Sequence, residues 1–271
     1  MPTVSVIIPT YNRAALLPRA INSVRTQSLT DLELIIVNDA STDDTINVVK
    51  KIQAQDQRIK LITNTTNNYP DISKTLNTGI ASATGEFIAR LDDDDYWCDA
   101  DKLKKQTAFL QAHPDHALVG SGMIVVDEND QELYRFLKPE TDAQIRARAL
   151  LANPFAHTAV MYRTSAVRAV GGYSNIHYAE DWDLWLKLGE QGKFHNLPEY
   201  LTKYLQAGQN KSLVHQKDHT RAIFGILKTH RNCYPHFYKA YAINLLQYLY
   251  AICLPYQLRA LLHPLLSSLK R

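Results

Sequence analysis

Short runs of β-branched and aliphatic residues alternate with longer stretches of helical period through the first third of the chain. Thr3 to Ile8, Leu32 to Asn38, Ile59 to Ile62 and Glu86 to Leu91 read as strands; Ala14 to Thr26, Thr42 to Ala54 and Ile72 to Ala83 read as helices. Near-continuous apolar strands separated by helices belong to a parallel sheet covered on both faces. The expected fold class is therefore α/β: a Rossmann-like, mostly parallel central sheet flanked by helices. Pro9 is expected to end the first strand, and Ser41 with Asp44 resembles a capping box for the second helix. Further on, Leu118 to Val126 predicts a strand with which Gln131 to Phe136 pairs, a mixed extension of the sheet. A helix over Glu140 to Leu151, a strand over Ala159 to Tyr162 and a turn at Gly171, Gly172 and Tyr173 follow.

Beyond about Lys211 the chain becomes helical and aromatic, with Tyr234, Phe237, Tyr238, Tyr241, Tyr248, Tyr250 and Tyr256 around apolar runs. Ala240 to Leu254 is short for a membrane span and contains Asn244 and Gln247. Two readings stand: an interfacial anchor, and a helix pair covering the rest of the molecule or a dimer surface. The expected organisation is a catalytic domain over 1–210 and a helical C-terminal region over 211–271.

Composition narrows the partners. A formal charge of +3 on 271 residues gives no reason to expect nucleic-acid binding. Basic residues gather late (Lys211, Lys217, Arg221, Lys228, Arg231, Lys239, Arg259, Lys270, Arg271), where an anionic membrane surface would meet them. Cys98, Cys233 and Cys253 have no CxxC spacing and suit reduced thiols. The chain opens directly on strand-like residues without a basic leader, so a cytoplasmic location is expected, with peripheral contact on the cytoplasmic face of the inner membrane.

In open α/β sheets, ligands bind beyond the carboxyl ends of the strands, near the reversal of strand order. Three polar clusters meet that condition: Thr10, Tyr11, Asn12 and Arg13; Asn38 and Asp39; and Asp92 to Asp95. For Asp39, turn formation and helix capping stand level with ligand binding. The consecutive carboxylates Asp92, Asp93, Asp94 and Asp95 repel one another, and a divalent cation would offset that charge. Hard oxygen donors suit Mg²⁺ or Mn²⁺ carrying a diphosphate, with a solvated acidic turn as the alternative.

The other informative segment is Glu180 to Gln191, a helix beginning near Asp181. At about 100° per residue, Trp182, Leu184, Trp185, Leu186 and Leu188 form an apolar arc, with Glu180, Asp183, Lys187 and Glu190 opposite. Asp181 falls near the middle of the arc, where it serves either as a helix cap or as a general base in a cleft.

These segments together resemble glycosyltransferase family 2, inverting nucleotide-sugar-dependent enzymes of GT-A fold. The resemblance rests on Val4 to Arg13 (VSVIIPTYNR), Ile35 to Asp43 (IIVNDASTD), Asn77 to Asp95 (NTGIASATGEFIARLDDDD), the Gly171–Tyr173 turn and Glu180 to Leu188 (EDWDLWLKL). It implies that Asp39 contacts the nucleotide base, commonly uracil, that Thr10, Tyr11 and Arg13 border the nucleotide, and that Arg90 approaches the diphosphate. Asp92 and Asp94 match the DxD positions for the metal, Asp94 first, while Asp92 or Asp93 holds the ribose or the sugar. Asn77 belongs to the donor side. Leu76 stands where many relatives carry Arg, and Lys74 either replaces that charge or is a surface lysine. Asp181 corresponds to the catalytic base, sharing a pocket with Asp39 and Asp94; His157 borders the acceptor or is a satisfied interior histidine.

The resemblance thus implies transfer of one sugar, hexose or N-acetylhexosamine, from a nucleotide-diphosphate sugar such as a UDP-sugar. The acceptor would be a glycan or lipid-linked glycan of bacterial surface polysaccharide biosynthesis, such as lipopolysaccharide. The absence of a QxxRW signature favours single transfer over processive synthesis. A sugar-nucleotide nucleotidyltransferase would carry a Gly-rich basic first loop, which Pro9 to Asn12 replaces. A noncatalytic nucleotide or glycan binder is the remaining alternative. An EF-hand is excluded, because the Asp92 loop lacks the glycine and terminal glutamate.

Overall fold

Along β1 (Val4–Thr10) every residue is buried, because the strand feeds two hydrophobic layers at once. Val4, Val6 and Ile8 pack with Leu17, Ile21 and Val24 of α1 (Leu17–Arg25); Ile7 points the other way, into the layer holding Leu76 and Ile80 of α3 (Ile72–Ser82). The same division separates Leu32, Leu34 and Ile36 from Ile35 and Val37 in β2 (Leu32–Asn38). Two covered faces explain why these strands show no polar alternation.

The computed structural model describes residues 1–206 and 216–253; the expected boundary at 210, with Lys211, Tyr256, Arg259, Lys270 and Arg271, lies outside them. Strands β3 (Ile59–Thr63), β2, β1 and β4 (Phe87–Arg90) run parallel in that order, with α2 (Thr45–Gln53) between β2 and β3 in sequence. The order reverses at β1, so the loops after β1 and β4 open side by side. Beyond β4 the sheet is mixed, in keeping with the extension expected over Leu118 to Phe136. β8 (Met161–Arg163) is antiparallel to β4 and to β6 (His116–Val126), which pairs in parallel with β9 (Lys193–Leu205) and antiparallel with β7 (Glu132–Phe136). A two-residue strand, β5 (Tyr96–Trp97), closes the edge on β9. The helices α4 (Lys102–Ala112), α5 (Asp142–Arg148), α6 (Thr164–Ala169) and α7 (Glu180–Leu188) complete the main body.

Pro9 does not end β1. Its backbone has the parity of Ile7, whose carbonyl accepts from Leu91 N on the β4 side, and the β1–β4 register stops at Ile7 and Arg90. No ladder donor is demanded of Pro9 on that side, so proline is tolerated in a central strand. The capping box is also absent: α2 starts at Thr45, whose N–H donates to Asp43, and the Ser41 hydroxyl accepts from Asn12 N instead.

One buried carboxylate fastens the end of the sheet away from the clefts. Glu33 accepts from Ser5 Oγ (2.6 Å), from Thr84 N (2.7 Å) and Oγ1 (2.6 Å), and from Lys60 Nζ (2.6 Å). Burial alone would raise its pKa, but these donors outweigh it and bring it down to about 2. A depressed carboxylate contributes stability above its unfolded value and loses it as pH falls through the folded one. Glu33→Gln is therefore expected to cost about 2–3 kcal/mol at pH 7. In urea denaturation the difference from the parent should shrink as pH falls from 4.5 toward about 2.

Two further helices, α8 (Gln216–His230) and α9 (Phe237–Cys253), join the core layer that contains α7, through Ile223, Ile226, Leu227, Tyr234 and Ala240. Tyr234 donates its hydroxyl to the Leu186 carbonyl at 2.8 Å. The outer side of α9 exposes Tyr238, Leu245, Leu246, Leu249 and Ile252. Among the described residues no helix is long and apolar enough to cross a membrane.

Candidate active site

The loops after β1 and β2 are stitched together by Asn12. It sits at φ 53°, a left-handed conformation that asparagine tolerates better than most residues. Its Oδ1 accepts from Thr42 N (2.8 Å) and Asp43 N (3.3 Å), while its own N–H donates to Ser41 Oγ (3.0 Å). Asp39 is fixed just as firmly. Oδ1 accepts from Asn64 Nδ2 (2.6 Å), Asn68 Nδ2 (2.7 Å) and Thr75 Oγ1 (2.8 Å), and Oδ2 accepts from Asn68 N (2.9 Å). It caps no helix; it is held at the wall of a cleft of about 630 Å³. Thr10, Tyr11, Arg13, Asp92, Asp93 and Asp94 line the same cleft, joined by Asn67, Tyr69, Ile72 and Thr75.

The four aspartates that follow β4 have four environments. Asp92 accepts from Arg90 Nη2 at 2.7 Å. Asp93 and Asp94 face Arg13 at 3.5 and 3.7 Å, and burial, then the charge of Asp94, push Asp93 up to about 6. Asp95 is fully buried and ties the loop to β9 by accepting from Leu205 N at 3.0 Å, with its pKa raised well above the ordinary range, chiefly by burial. Arginines thus offset part of the charge for which the sequence suggested a divalent cation or a solvated acidic turn. Arg90 itself is 1% exposed and stands behind Asp92, so it braces the acidic loop and does not line the cleft where a diphosphate would lie.

The donor set still fits a hard divalent ion: Asp92 and Asp94, with Asp93 between them, line an open cleft with hard oxygen donors. Among the described residues no group of three or more His, Cys, Asp or Glu side chains is arranged to hold a metal. Phosphate oxygens and water would complete a shell around Asp92 and Asp94.

Asp181, in the first turn of α7, opens into a second cavity of about 270 Å³. Its Oδ1 accepts from Trp182 N at 2.7 Å and its Oδ2 from Asn153 Nδ2 at 2.8 Å; burial nevertheless raises its pKa. The anticipated single pocket is two. Asp39 and Asp94 line one, Asp181 lines the other, and Asp92 lines both. The opposite face of α7 departs from expectation as well. Asp183 is buried against α8, where His230 Nε2 lies at 3.0 Å and Ser174 Oγ donates at 2.7 Å. Glu180 is half-buried, its pKa raised to about 8 by burial and then by the charge of Asp181. His157 lines the second cavity, meets the Tyr173 hydroxyl at 2.7 Å, and is kept neutral by burial and by Arg90, its pKa lowered to about 3.

The sequence model described as Glycosyl transferase family 2 matches residues 5–171, more than half of the chain. The chain belongs to glycosyltransferase family 2. This glycosyltransferase is 40% identical over 207 residues to the candidate glycosyltransferase EpsE of Bacillus subtilis (strain 168), covering 74% of the chain and 72% of the relative. It is 30% identical over 209 residues to the amylovoran biosynthesis glycosyltransferase AmsE of Erwinia amylovora, covering 76% and 77%. The mannosyltransferase PcManGT of Pyrobaculum calidifontis, solved with GDP-Man and Mn²⁺, superposes with a TM-score of 0.71 at 20% identity, over 93% of this chain and 73% of that one. The fold is GT-A.

Two other residues expected on the donor side of this glycosyltransferase line neither cavity. The Asn77 amide is spent on the turn after α6: Nδ2 donates to Tyr173 O and Oδ1 accepts from Tyr173 N, both at 2.9 Å. Gly171 and Gly172 make the turn at φ 74° and 70°, a conformation glycine adopts without steric cost. Lys74 is a surface lysine near Asp71 at 3.5 Å. Conversely, Asn67 and Tyr69 follow β3, a fourth parallel strand end to which the carboxyl-end rule applied equally. Asn153 and Lys138, in the second cavity, carried no such signal.

Proposed function

We propose that this protein is an inverting glycosyltransferase that moves one sugar from a nucleotide-diphosphate sugar, a UDP-sugar first, to a hydroxyl of a glycan or lipid-linked acceptor in bacterial surface polysaccharide biosynthesis. The observation that carries the reading is the junction at Asp92, a residue common to the large cleft and to the Asp181 cavity. A donor lying in the first would present its anomeric carbon at the entrance of the second. Thr10, Tyr11, Arg13 and Asp39 would hold the nucleotide, Asp93 would face the ribose or sugar, and Asp92 and Asp94 would hold Mn²⁺ or Mg²⁺. When bound, that ion supplies charge neutralisation for the departing diphosphate. Asp181 accepts the proton of the acceptor hydroxyl as its oxygen attacks from the face opposite the diphosphate, so one displacement inverts the centre.

The polysaccharide assignment is supported by the likeness to AmsE, and metal use by the Mn²⁺ and GDP-Man reported for PcManGT. A panel of UDP- and GDP-sugars, assayed for nucleotide release with Mn²⁺, Mg²⁺ or EDTA, tests class, donor and metal together. No release from any donor under any metal condition sinks the reading. The outward Leu245, Leu246, Leu249 and Ile252 of α9 support peripheral contact of the C-terminal region with an anionic membrane, which would bring a lipid-linked acceptor to the cavity. Failure to co-sediment with phosphatidylglycerol vesicles would remove that part.

A further inference from the structure

We infer that Asn153 is a positioning residue that aims the Asp181 carboxylate into the second cavity, and that Lys138 locks it there. This rests on the reading of Asp181 as the base.

The argument begins with what each oxygen of Asp181 touches. Oδ1 accepts from the N–H of Trp182, the next residue along α7, a contact that leaves the carboxylate plane free to swing. Oδ2 accepts from Asn153 Nδ2, which comes from the segment after α5 and is the long-range bond fixing the plane. One lone pair on each oxygen is thereby engaged, which leaves acceptor capacity for a group in the cavity that Asp181 lines.

The orientation of the amide follows from its own partners. Asn153 Oδ1 accepts from Phe155 N at 3.3 Å, so Nδ2 must be the end facing the carboxylate. The backbone carbonyl of Asn153 accepts from Lys138 Nζ at 3.0 Å. Lys138 and Asn153 both line the cavity, so the brace is built into the wall beside the base. The ammonium also places a positive charge near Asp181, opposing the burial that disfavours its ionised form. Nothing in this arrangement requires Asn153 or Lys138 to touch the donor, whose cleft is lined by other residues.

A group that acts through the base must lose its effect when the base is disabled. The test is a double-mutant cycle in which nucleotide release to water is measured with Mn²⁺ and the panel donor turned over fastest, water standing in for the unidentified acceptor. Asn153→Ala should lower kcat by about a hundredfold, the scale of a misaimed reacting group, with donor KM within about threefold. In an Asp181→Asn background the same change should cost less than about threefold. Losses that multiply across the two backgrounds would overturn the inference, and so would near-parent turnover of Asn153→Ala. Should Asn153→Ala not fold, Lys138→Met takes its place in the cycle: a kcat loss in the parent that vanishes with Asp181→Asn supports the brace, and equal losses in both refute it. The underlying reading fails separately, by parent-like turnover of Asp181→Asn alone.

Discussion

Asp181→Asn is expected to lower turnover by about 10²–10⁴-fold while leaving the donor KM within a few-fold of the parent. Asparagine keeps the shape and can retain the contact with Trp182 N, but it cannot take up a proton. Its amide would also meet the Asn153 amide, donor against donor, unless it flips. The substitution removes a buried charge whose pKa burial already raises, so the variant should be at least as stable as the parent. Steady-state kinetics with a thermal melt therefore separate a chemical role from a structural one. Turnover within tenfold of the parent would remove Asp181 from the mechanism.

The two carboxylates proposed to hold the metal, Asp92 and Asp94, should fail in different ways. Asp94→Asn loses a carboxylate that faces Arg13 at 3.7 Å in a partly exposed loop, so turnover should fall by about a hundredfold or more with little change in stability. Asp92→Asn should match or exceed that loss in turnover and also destabilise the fold by about 3 kcal/mol, because it leaves the fully buried Arg90 guanidinium without its carboxylate at 2.7 Å. Mn²⁺ titrations followed through nucleotide release, alongside urea denaturation, read both effects. Equal stability of the two variants would contradict the bracing role given to Arg90; unchanged metal dependence in both would contradict the metal assignment.

Much of the donor half was legible because its residues do local work that the sequence displays. β2 is bounded as expected at Leu32 and Asn38, and Asp39 and Asp92 follow strands where a parallel sheet gathers its loops. Asp181 stood out because a carboxylate inside an apolar arc is unusual at any helix start. What escaped notice depends on tertiary neighbours. Asp183 looks solvated from helical period alone, and only the packing of α8 explains its burial with His230. Arg90 reads as a phosphate contact until its side chain is seen beneath Asp92. β9 was missed because its pairing with β6 is broken by register shifts and its residues alternate poorly, and β5 is too short to carry a pattern. Asn153 gives no sign at all: its importance lies in a bond across 28 residues of sequence.

The walls of the two cavities come from separate stretches of chain, residues 9–94 for the larger and, apart from Asp92, residues 123–204 for the smaller. If the smaller cavity receives the acceptor as proposed, changes along β6 and β7 can remodel it without touching the residues that line the larger cleft, whereas β9 is tied to the acidic loop through Leu205 and Asp95. In a lineage that diversifies its surface glycans, acceptor preference would be the trait free to drift, with Asp92 as the hinge pin that neither side can alter alone.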